Sequence, residues 1–347
     1  MVPRPPLVRA LRRERVERVP LWLMRQAGRF LPEYRELRTK HSILELTGDP
    51  ELAAAVTMMP MRRFDLDAAI IFADILLPLT GMGVGFHFAK GEGPVIESPV
   101  RTPADAARLA TFDPREALRP TLDAIALVRE ALPRDKALLG FAGAPFTLAS
   151  YIIEGGSSKD YTATKSLFFR HPDAWTRMME TVRTITRDYL SAQVEAGADA
   201  VQFFDSWVGC LAPEDYRAFV LPHTAWIVHE LKARHPETPL IHFGTGTATL
   251  LPAMLEAGAD AISVDWRIPL AEARRIAGDG VAIQGNLDPA LLVAGPEARL
   301  RERVRAIVAE GSRHPGYVFN LGHGVLPPTP VDHVAAVVEE VHAFRRT

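Results

Sequence analysis

The chain has 347 residues, 48% of them hydrophobic, and a formal net charge of −2 at pH 7. That length suits one large barrel or two ordinary domains, and the balanced charge gives no basis for nucleic-acid or membrane-surface binding. The single cysteine, Cys210, excludes a disulfide framework and a zinc cluster built on thiolates.

The N-terminal stretch MVPRPPLVRALRRERVERVP is rich in arginine, like a transit peptide. It nevertheless contains Glu14 and Glu17, lacks serine, and is followed by no apolar stretch long enough for a signal or a membrane span. We therefore expect a surface helix from Pro6 to Val16 and a cytoplasmic protein.

Eight short apolar runs are the candidate strands, and most are separated by segments with helical spacing. They cover residues 19–24, 68–73, 137–143, 200–205, 239–244, 261–266, 281–286 and 317–322. Several are apolar throughout, which is typical of parallel strands buried on both faces. Strand and helix alternating to a count of eight predict an α/β protein with a (β/α)8 TIM barrel. The alternative, an open doubly wound sheet, lacks the expected G-x-G-x-x-G after an early strand.

One segment departs from the alternation of strand and helix. Residues 84–100, VGFHFAKGEGPVIESPV, alternate on both sides of KGEG, which predicts a β-hairpin inserted after the second strand. We find no linker rich in Gly, Ser and Pro and no internal repeat, so we expect a single domain over residues 1–347. The last helix is predicted to have Thr329 as N-cap, Pro330 at its first position and Asp332 in its first turn.

Polar residues follow most of the predicted strands, at the end of a barrel where active sites lie. They are Arg25, Gln26, Arg29, Asp74, Tyr151, Asp205, Ser206, His242, Asp265, Asn286, Asp288 and His323, with Gly143 and Pro145 after the third strand. No lysine ends a strand, which argues against a Schiff-base aldolase. No H-x-H follows the first strand, which argues against a two-metal hydrolase. The set suits an anionic substrate that passes through a cationic intermediate.

These residues also have ordinary structural explanations. Asp74 fits the N-cap of a helix over ILLPLTG, and Tyr151 fits a core position. His323 and Ser206 fit loop and turn positions, and arginines such as Arg25 fit a solvated surface. Spacing alone leaves both explanations open.

Five segments carry a specific likeness to a known family. They are PLWLMRQAGRFLPEYRELR (20–38), IIFADILLP, GFAGAPFTLASYIIEGGSSKDY (140–161), VQFFDSWVG and FNLGHGVLPPTP. Their order and separation resemble those of uroporphyrinogen decarboxylases across nearly the whole chain. The resemblance implies a (β/α)8 barrel and a cofactor-independent reaction in heme biosynthesis. In it, the four acetates of uroporphyrinogen III lose CO2 in turn, giving coproporphyrinogen III.

The resemblance also implies a set of site residues and a role for each. The matching aspartate, Asp74, would bind the pyrrole N–H groups and stabilise the cation, while Arg25 and Arg29 would hold substrate carboxylates. The implied catalytic residues are Asp74, Arg25, Arg29, Tyr151 and His323. Substrate contacts would add Ser206 and the backbone N–H groups of Gln26, Ala27 and Gly28, with Arg38 as a weaker candidate. No metal and no cofactor are implied, the family commonly forms homodimers, and the proton donor stays open.

Two departures and two rival functions accompany this hypothesis. Phe30 and Phe146 stand where many relatives have tyrosine and tryptophan. Cobalamin-linked methyltransferases share the fold but bind zinc through H-x-C, whereas this chain has His242 followed by Phe243 and Gly244. The second rival is a non-catalytic tetrapyrrole carrier, which would keep the arginines but would not need Asp74.

Overall fold

Parallel strands form a curled sheet in this computed structural model, which describes residues 4–89 and 93–344. The strands are β1 (Ala68–Ile70), β2 (Phe86–Ala89), β3 (Gly93–Ile96), β4 (Ala137–Gly143), β5 (Ala200–Asp205), β6 (Leu240–Gly244), β7 (Ala261–Ser263), β8 (Ala282–Leu287) and β9 (Tyr317–Leu321). Among the described residues, seven strands pair in the order β1-β4-β5-β6-β7-β8-β9, each parallel to its neighbour. The predicted barrel order is thereby confirmed for seven of the eight apolar runs.

The first apolar run closes the barrel without forming a full strand, so the prediction for residues 19–24 is wrong in extent. Leu21 makes an isolated parallel bridge to Phe319 of β9. On the β1 side, Asp67 N donates to Leu21 O at 2.8 Å, and Leu21 N donates to the Asp67 carboxylate at 2.9 Å. Pro20 has no N–H to extend the ladder, and a carboxylate takes the N–H of Leu21, so regular pairing stops after one residue.

Helices surround the sheet and follow its strands. They are α1 (Pro6–Leu11), α2 (Pro32–Lys40), α3 (Ile43–Gly48), α4 (Pro50–Arg63), α5 (Leu77–Gly81), α6 (Pro103–Ala106), α7 (Pro114–Ala117), α8 (Arg119–Ala131), α9 (Pro145–Glu154), α10 (Thr162–Arg170), α11 (Pro172–Glu195), α12 (Pro213–Phe219), α13 (Leu221–Arg234), α14 (Leu251–Glu256), α15 (Leu270–Ala277), α16 (Pro289–Ala294), α17 (Glu297–Gly311) and α18 (Val331–Ala343), with a 3₁₀ turn at Val208–Cys210.

Two helix predictions need correction. The N-terminal helix ends at Leu11 instead of Val16, and Leu7 and Leu11 are fully buried against the N-terminal ends of the strands. It therefore covers the bottom of the barrel and is not a surface helix. The last helix begins at Val331 with Pro330 as N-cap, and the Thr329 hydroxyl makes no hydrogen bond to the described residues. Thr329 is thus not its cap.

The predicted hairpin is confirmed by the antiparallel pairing of β2 with β3. Lys90, Gly91 and Glu92 of the predicted turn lie outside the described residues. The hairpin is tied to the end of α9, because Ile96 N donates to Gly155 O at 2.8 Å and Val100 N donates to Ile152 O at 3.0 Å. It stands beside the helix that carries Tyr151.

The barrel interior is filled by layers that form the floor of the site. Gln284 links three buried side chains: its Oε1 accepts from Trp22 Nε1 at 2.8 Å, and its Nε2 donates to Gln202 Oε1 and Ser263 Oγ at 3.0 Å each. Phe204, two residues further along β5, has a ring contact with Phe243 of β6 at 5.8 Å. A hydrogen-bonded polar layer, in which only Gln202 Nε2 lacks a partner among the described residues, thus lies under an aromatic layer and links β5, β7 and β8 to the first apolar run.

Candidate active site

The loop after Met24 places Arg25 at the mouth of the barrel. Met24 is fixed by its N–H, which donates to Asn320 Oδ1 at 3.0 Å, and by its carbonyl, which accepts from Val325 N at 2.8 Å. The chain then turns sharply, and Arg25 adopts the left-handed region with φ of 61°. Its side chain is exposed and passes over Gly324, where a Cβ would collide with it. A non-glycine residue in this conformation stores strain, which is common at ligand sites.

Gln26 fixes the loop from below, whereas the next two residues present free backbone donors. The Gln26 side chain is buried, accepts from Leu23 N at 3.0 Å and donates to Ala68 O at 2.9 Å. Its own N–H donates to Leu23 O, so a direct substrate contact through that N–H stays a prediction. Within the described part of the chain, the N–H groups of Ala27 and Gly28 have no acceptor.

Asp74 lies between β1 and α5 and is half-buried. Its Oδ1 accepts from Leu76 N at 2.9 Å, and no described residue donates a hydrogen bond to Oδ2. The helix starts at Leu77 with Leu76 as its N-cap, so Asp74 forms a local turn and is not the helix cap. Burial raises the pKa of the Asp74 carboxyl, while the Leu76 N–H and the charge of Arg25 oppose that rise. Asp74 Oδ2 is therefore available to accept a hydrogen bond from a ligand, and Leu76 N is the one described donor to this carboxylate.

Tyr151 projects from α9 towards the same mouth. Its ring meets that of Trp207 edge-on, with centroids 5.8 Å apart. Trp207 is held in place because its backbone N–H donates to Thr147 Oγ1 at 3.4 Å. Thr147 lies on α9, one helical turn before Tyr151. Burial raises the pKa of the Tyr151 hydroxyl, and the nearby charge of Asp74 raises it further. Tyr151 is therefore a neutral hydrogen-bond donor close to Asp74.

His323 follows β9 and is also neutral. Its Nδ1 accepts from Gly324 N at 2.7 Å, which leaves the proton of the neutral ring on Nε2. The ring stands edge-on to Phe243 of the aromatic layer, at 6.0 Å. Burial, followed by the positive charge of Arg25, lowers the pKa of His323 to about 4. At neutral pH it offers an N–H donor without a charge.

The structure thus brings together Arg25, Asp74, Tyr151 and His323, because the charge of Arg25 acts on the other three. Arg29, four residues after Arg25, instead lines a surface cavity of about 490 Å³. The residues that line this cavity are Arg29, Tyr34, Arg35, Arg38, Thr39, Pro327 and Pro328. None of its three arginines has an ion pair with a described residue, so the cavity is cationic.

Ser206 is half-buried directly after β5, and its hydroxyl has no hydrogen bond to the described residues. Reasoning from the sequence missed its neighbour Trp207, whose ring touches both Tyr151 and Tyr161. The sequence did contain a signal for it, because Trp207 follows the polar pair Asp205 and Ser206 at the end of a predicted strand. Trp207 shapes the wall of the site rather than its charge.

Comparisons with known proteins identify the family of this chain. The model of the family described as "Uroporphyrinogen decarboxylase (URO-D)" matches residues 3–344. A protein from Sorangium cellulosum named uroporphyrinogen decarboxylase is 52% identical over 339 residues, covering 98% of this chain and 96% of the relative. The chain belongs to the uroporphyrinogen decarboxylase family. A second relative of that name, from Chloroflexus aggregans, is 51% identical over 97% of this chain and 95% of its own.

Solved structures related to this member of the uroporphyrinogen decarboxylase family are more distant. A methyltransferase from Methanosarcina mazei superposes with a TM-score of 0.81, at 20% identity, over 96% of both chains. A B12-independent methionine synthase from Shewanella superposes with a TM-score of 0.57, at 9% identity, over 87% of both chains. At such identities the likeness shows the barrel fold alone.

The residues at the place of the methyltransferase zinc motif do not suit a zinc site of that kind. His242 is fully buried, with its Nε2 3.5 Å from an oxygen of the equally buried Asp205, and Gly244 replaces the cysteine. Burial raises the pKa of the Cys210 thiol to about 11, so this thiol is not poised to bind a metal. No group of three or more His, Cys, Asp or Glu in residues 4–89 and 93–344 is arranged to hold a metal ion.

Proposed function

We propose that this protein removes CO2 from the four acetate side chains of uroporphyrinogen III and produces coproporphyrinogen III. The observation that carries the proposal is the half-buried Asp74 carboxylate with an open oxygen, close to Arg25 at the mouth of the barrel. The full-length similarity to relatives named uroporphyrinogen decarboxylase supports the same substrate.

The reaction needs an electron sink, and the substrate supplies it. A proton adds to a pyrrole carbon next to the ring nitrogen, which makes the ring an iminium-like cation. The bond between the acetate methylene and its carboxylate then breaks, CO2 leaves, and the electron pair neutralises the ring. A second proton then adds to the methylene and forms the methyl group, and loss of the first proton from the ring carbon restores the neutral pyrrole.

Asp74 stabilises the cation in this scheme. Its open oxygen accepts hydrogen bonds from the pyrrole N–H groups, whose positive charge grows as the ring is protonated. Burial disfavours the charged carboxylate, and the N–H groups of the substrate supply the donors that the protein does not provide. Because one carboxylate can face all four N–H groups, the same site can treat each acetate after the substrate rebinds in a rotated pose.

The other site residues orient the substrate. Arg25 binds the carboxylate of the reacting acetate, and the cationic cavity around Arg29 and Arg38 binds further carboxylates. Tyr151 and His323 donate neutral hydrogen bonds, with the backbone N–H groups of Ala27 and Gly28 beside them. Ser206 and the Gln26 N–H complete the proposed contacts, although the latter first has to leave Leu23 O.

We also propose a single-domain chain that acts in the cytoplasm as a homodimer. None of the helices in the described ranges is long and apolar enough to cross a membrane. The homodimer is proposed because members of the family commonly form homodimers. The molar mass of the protein in solution tests this proposal. Light scattering should give twice the 38.2 kDa of one chain, and a mass of one chain at micromolar concentration would refute it.

The activity is tested by anaerobic incubation with uroporphyrinogen III, followed by oxidation and chromatography of the porphyrins. The expected product carries four carboxylates, with species carrying seven, six and five appearing on the way. Recovery of the eight-carboxylate porphyrin alone, with binding intact, would favour the tetrapyrrole carrier.

A further inference from the structure

A third arginine is built into the mouth of the barrel, just after β7. Asp265, 2% exposed, accepts from Arg267 N at 2.9 Å and from Arg267 Nη1 at 2.6 Å. The same carboxylate accepts from Gly246 N at 2.6 Å, which fixes it to the loop after β6. The Arg267 side chain is nevertheless 49% exposed, so a buried anchor holds a guanidinium that faces solvent.

Aromatic stacking fixes the guanidinium further. Arg267 Cζ lies 4.3 Å from the centroid of the Trp266 ring. Trp266 packs against Gly322, where an added Cβ would meet Trp266 N at 2.7 Å. The next residue is His323, and the charge of Arg267 acts on it together with that of Arg25. Arg267 therefore belongs to the rim of the proposed site.

The guanidinium keeps donors available for a ligand. Only Nη1 is used by Asp265, and Nε and Nη2 have no acceptor among the residues that the structure describes. The charge of Arg25 lowers the pKa values of Asp74, Tyr151 and His323. Of these three groups, only His323 also has its pKa lowered by the charge of Arg267. Arg267 is thus a second guanidinium near His323, with Nε and Nη2 available for an anionic group of a ligand.

We propose that Arg267 binds a propionate carboxylate of the substrate and so helps to select tetrapyrroles that carry propionates. This inference rests on the proposed function. The acetates disappear one after another, and in the last step the only non-reacting carboxylates are propionates. A rim residue that serves all four steps must therefore hold a group that every pose presents, which is a propionate.

The test compares two substrates: uroporphyrinogen III, and the porphyrinogen with one acetate and four propionates left. Arg267→Gln should raise KM about tenfold for both, with kcat within about twofold, because binding energy is lost equally in the ground and transition states. Arg267→Lys should recover part of the loss, since an ammonium keeps the charge without the fork. The matched control is Arg275→Gln on α15, whose arginine is exposed and paired with Glu272, and its KM should equal that of the wild type.

Three results would overturn the inference. One is a KM of Arg267→Gln within twofold of the wild type for both substrates. Another is a fall in kcat and melting temperature without a change in KM, which a purely structural ion pair with Asp265 would give. The third is a KM effect confined to uroporphyrinogen, which would indicate an acetate contact. If the wild type releases no CO2, the proposed function fails first, and fluorescence titration with coproporphyrin still measures whether Arg267 binds propionates.

Discussion

Replacement of Asp74 by asparagine removes one charge from the site and keeps the shape. The amide oxygen of Asn can still accept from Leu76 N, so the turn before α5 should persist. The open oxygen becomes either a neutral acceptor or an NH2 group that faces the pyrrole N–H groups. At an effective dielectric constant of about 20, a carboxylate about 4 Å from a unit charge contributes about 4 kcal/mol. The expected loss in kcat is therefore about a thousandfold.

The assay is anaerobic release of CO2 from uroporphyrinogen under saturating substrate, with the melting temperature measured in parallel. Asp288→Asn is the matched control, because it also removes one carboxylate after a strand. Asp288 caps α16 by accepting from Ala290 N at 2.8 Å, and asparagine caps helices equally well. The control should keep its activity. If Asp74→Asn retains activity within about tenfold of the wild type, the proposed stabilisation of the cation is wrong.

Three other predictions follow from the same geometry. Arg25→Lys should lower kcat/KM about a hundredfold, because one ammonium cannot present the planar fork; near-normal kinetics would disprove bidentate binding. Since burial raises the pKa of Asp74, kcat/KM should fall with decreasing pH around a midpoint above the ordinary 3.8, and a midpoint at or below 3.8 would contradict the raised pKa. Asp67→Asn should lower the free energy of unfolding at pH 7 by about 2 kcal/mol, because Arg18 and Leu21 N lose a charged acceptor. The pKa of Asp67 in the folded protein is depressed despite burial, through His342, Leu21 N and Arg18. Its stabilisation is therefore fully present above about pH 4 and declines as the pH falls from there through the lowered folded pKa. Urea titrations of wild type and Asp67→Asn at pH 7 and pH 3 should show the difference shrink, and a constant difference would refute the linkage.

The sequence was informative about the fold wherever an apolar run was long and flanked by helical spacing. Residues 137–143 and 200–205 form strands over the predicted range. It was misleading at residues 19–24, where the apolar run is buried but the pairing is taken over by the Asp67 side chain. Hydrophobicity reports burial, and it cannot reveal that a carboxylate distant in sequence replaces a backbone partner.

The same limit applies to the site. The positions of Asp74, Tyr151 and His323 after strands predicted that these side chains would lie close together. The charge of Arg25 lowers the pKa of all three, which agrees with that prediction. The sequence could not separate Arg25, at the mouth of the barrel, from Arg29, which lines a different cavity. Side-chain direction after a sharp turn depends on backbone conformation, here the positive φ of Arg25.

A crystal structure with coproporphyrinogen bound would test the central claim most directly. The account predicts a puckered macrocycle whose pyrrole nitrogens lie about 2.7–3.2 Å from the Asp74 carboxylate, with propionates towards the arginines. Ring nitrogens that face solvent or another residue, with Asp74 left unengaged, would contradict it.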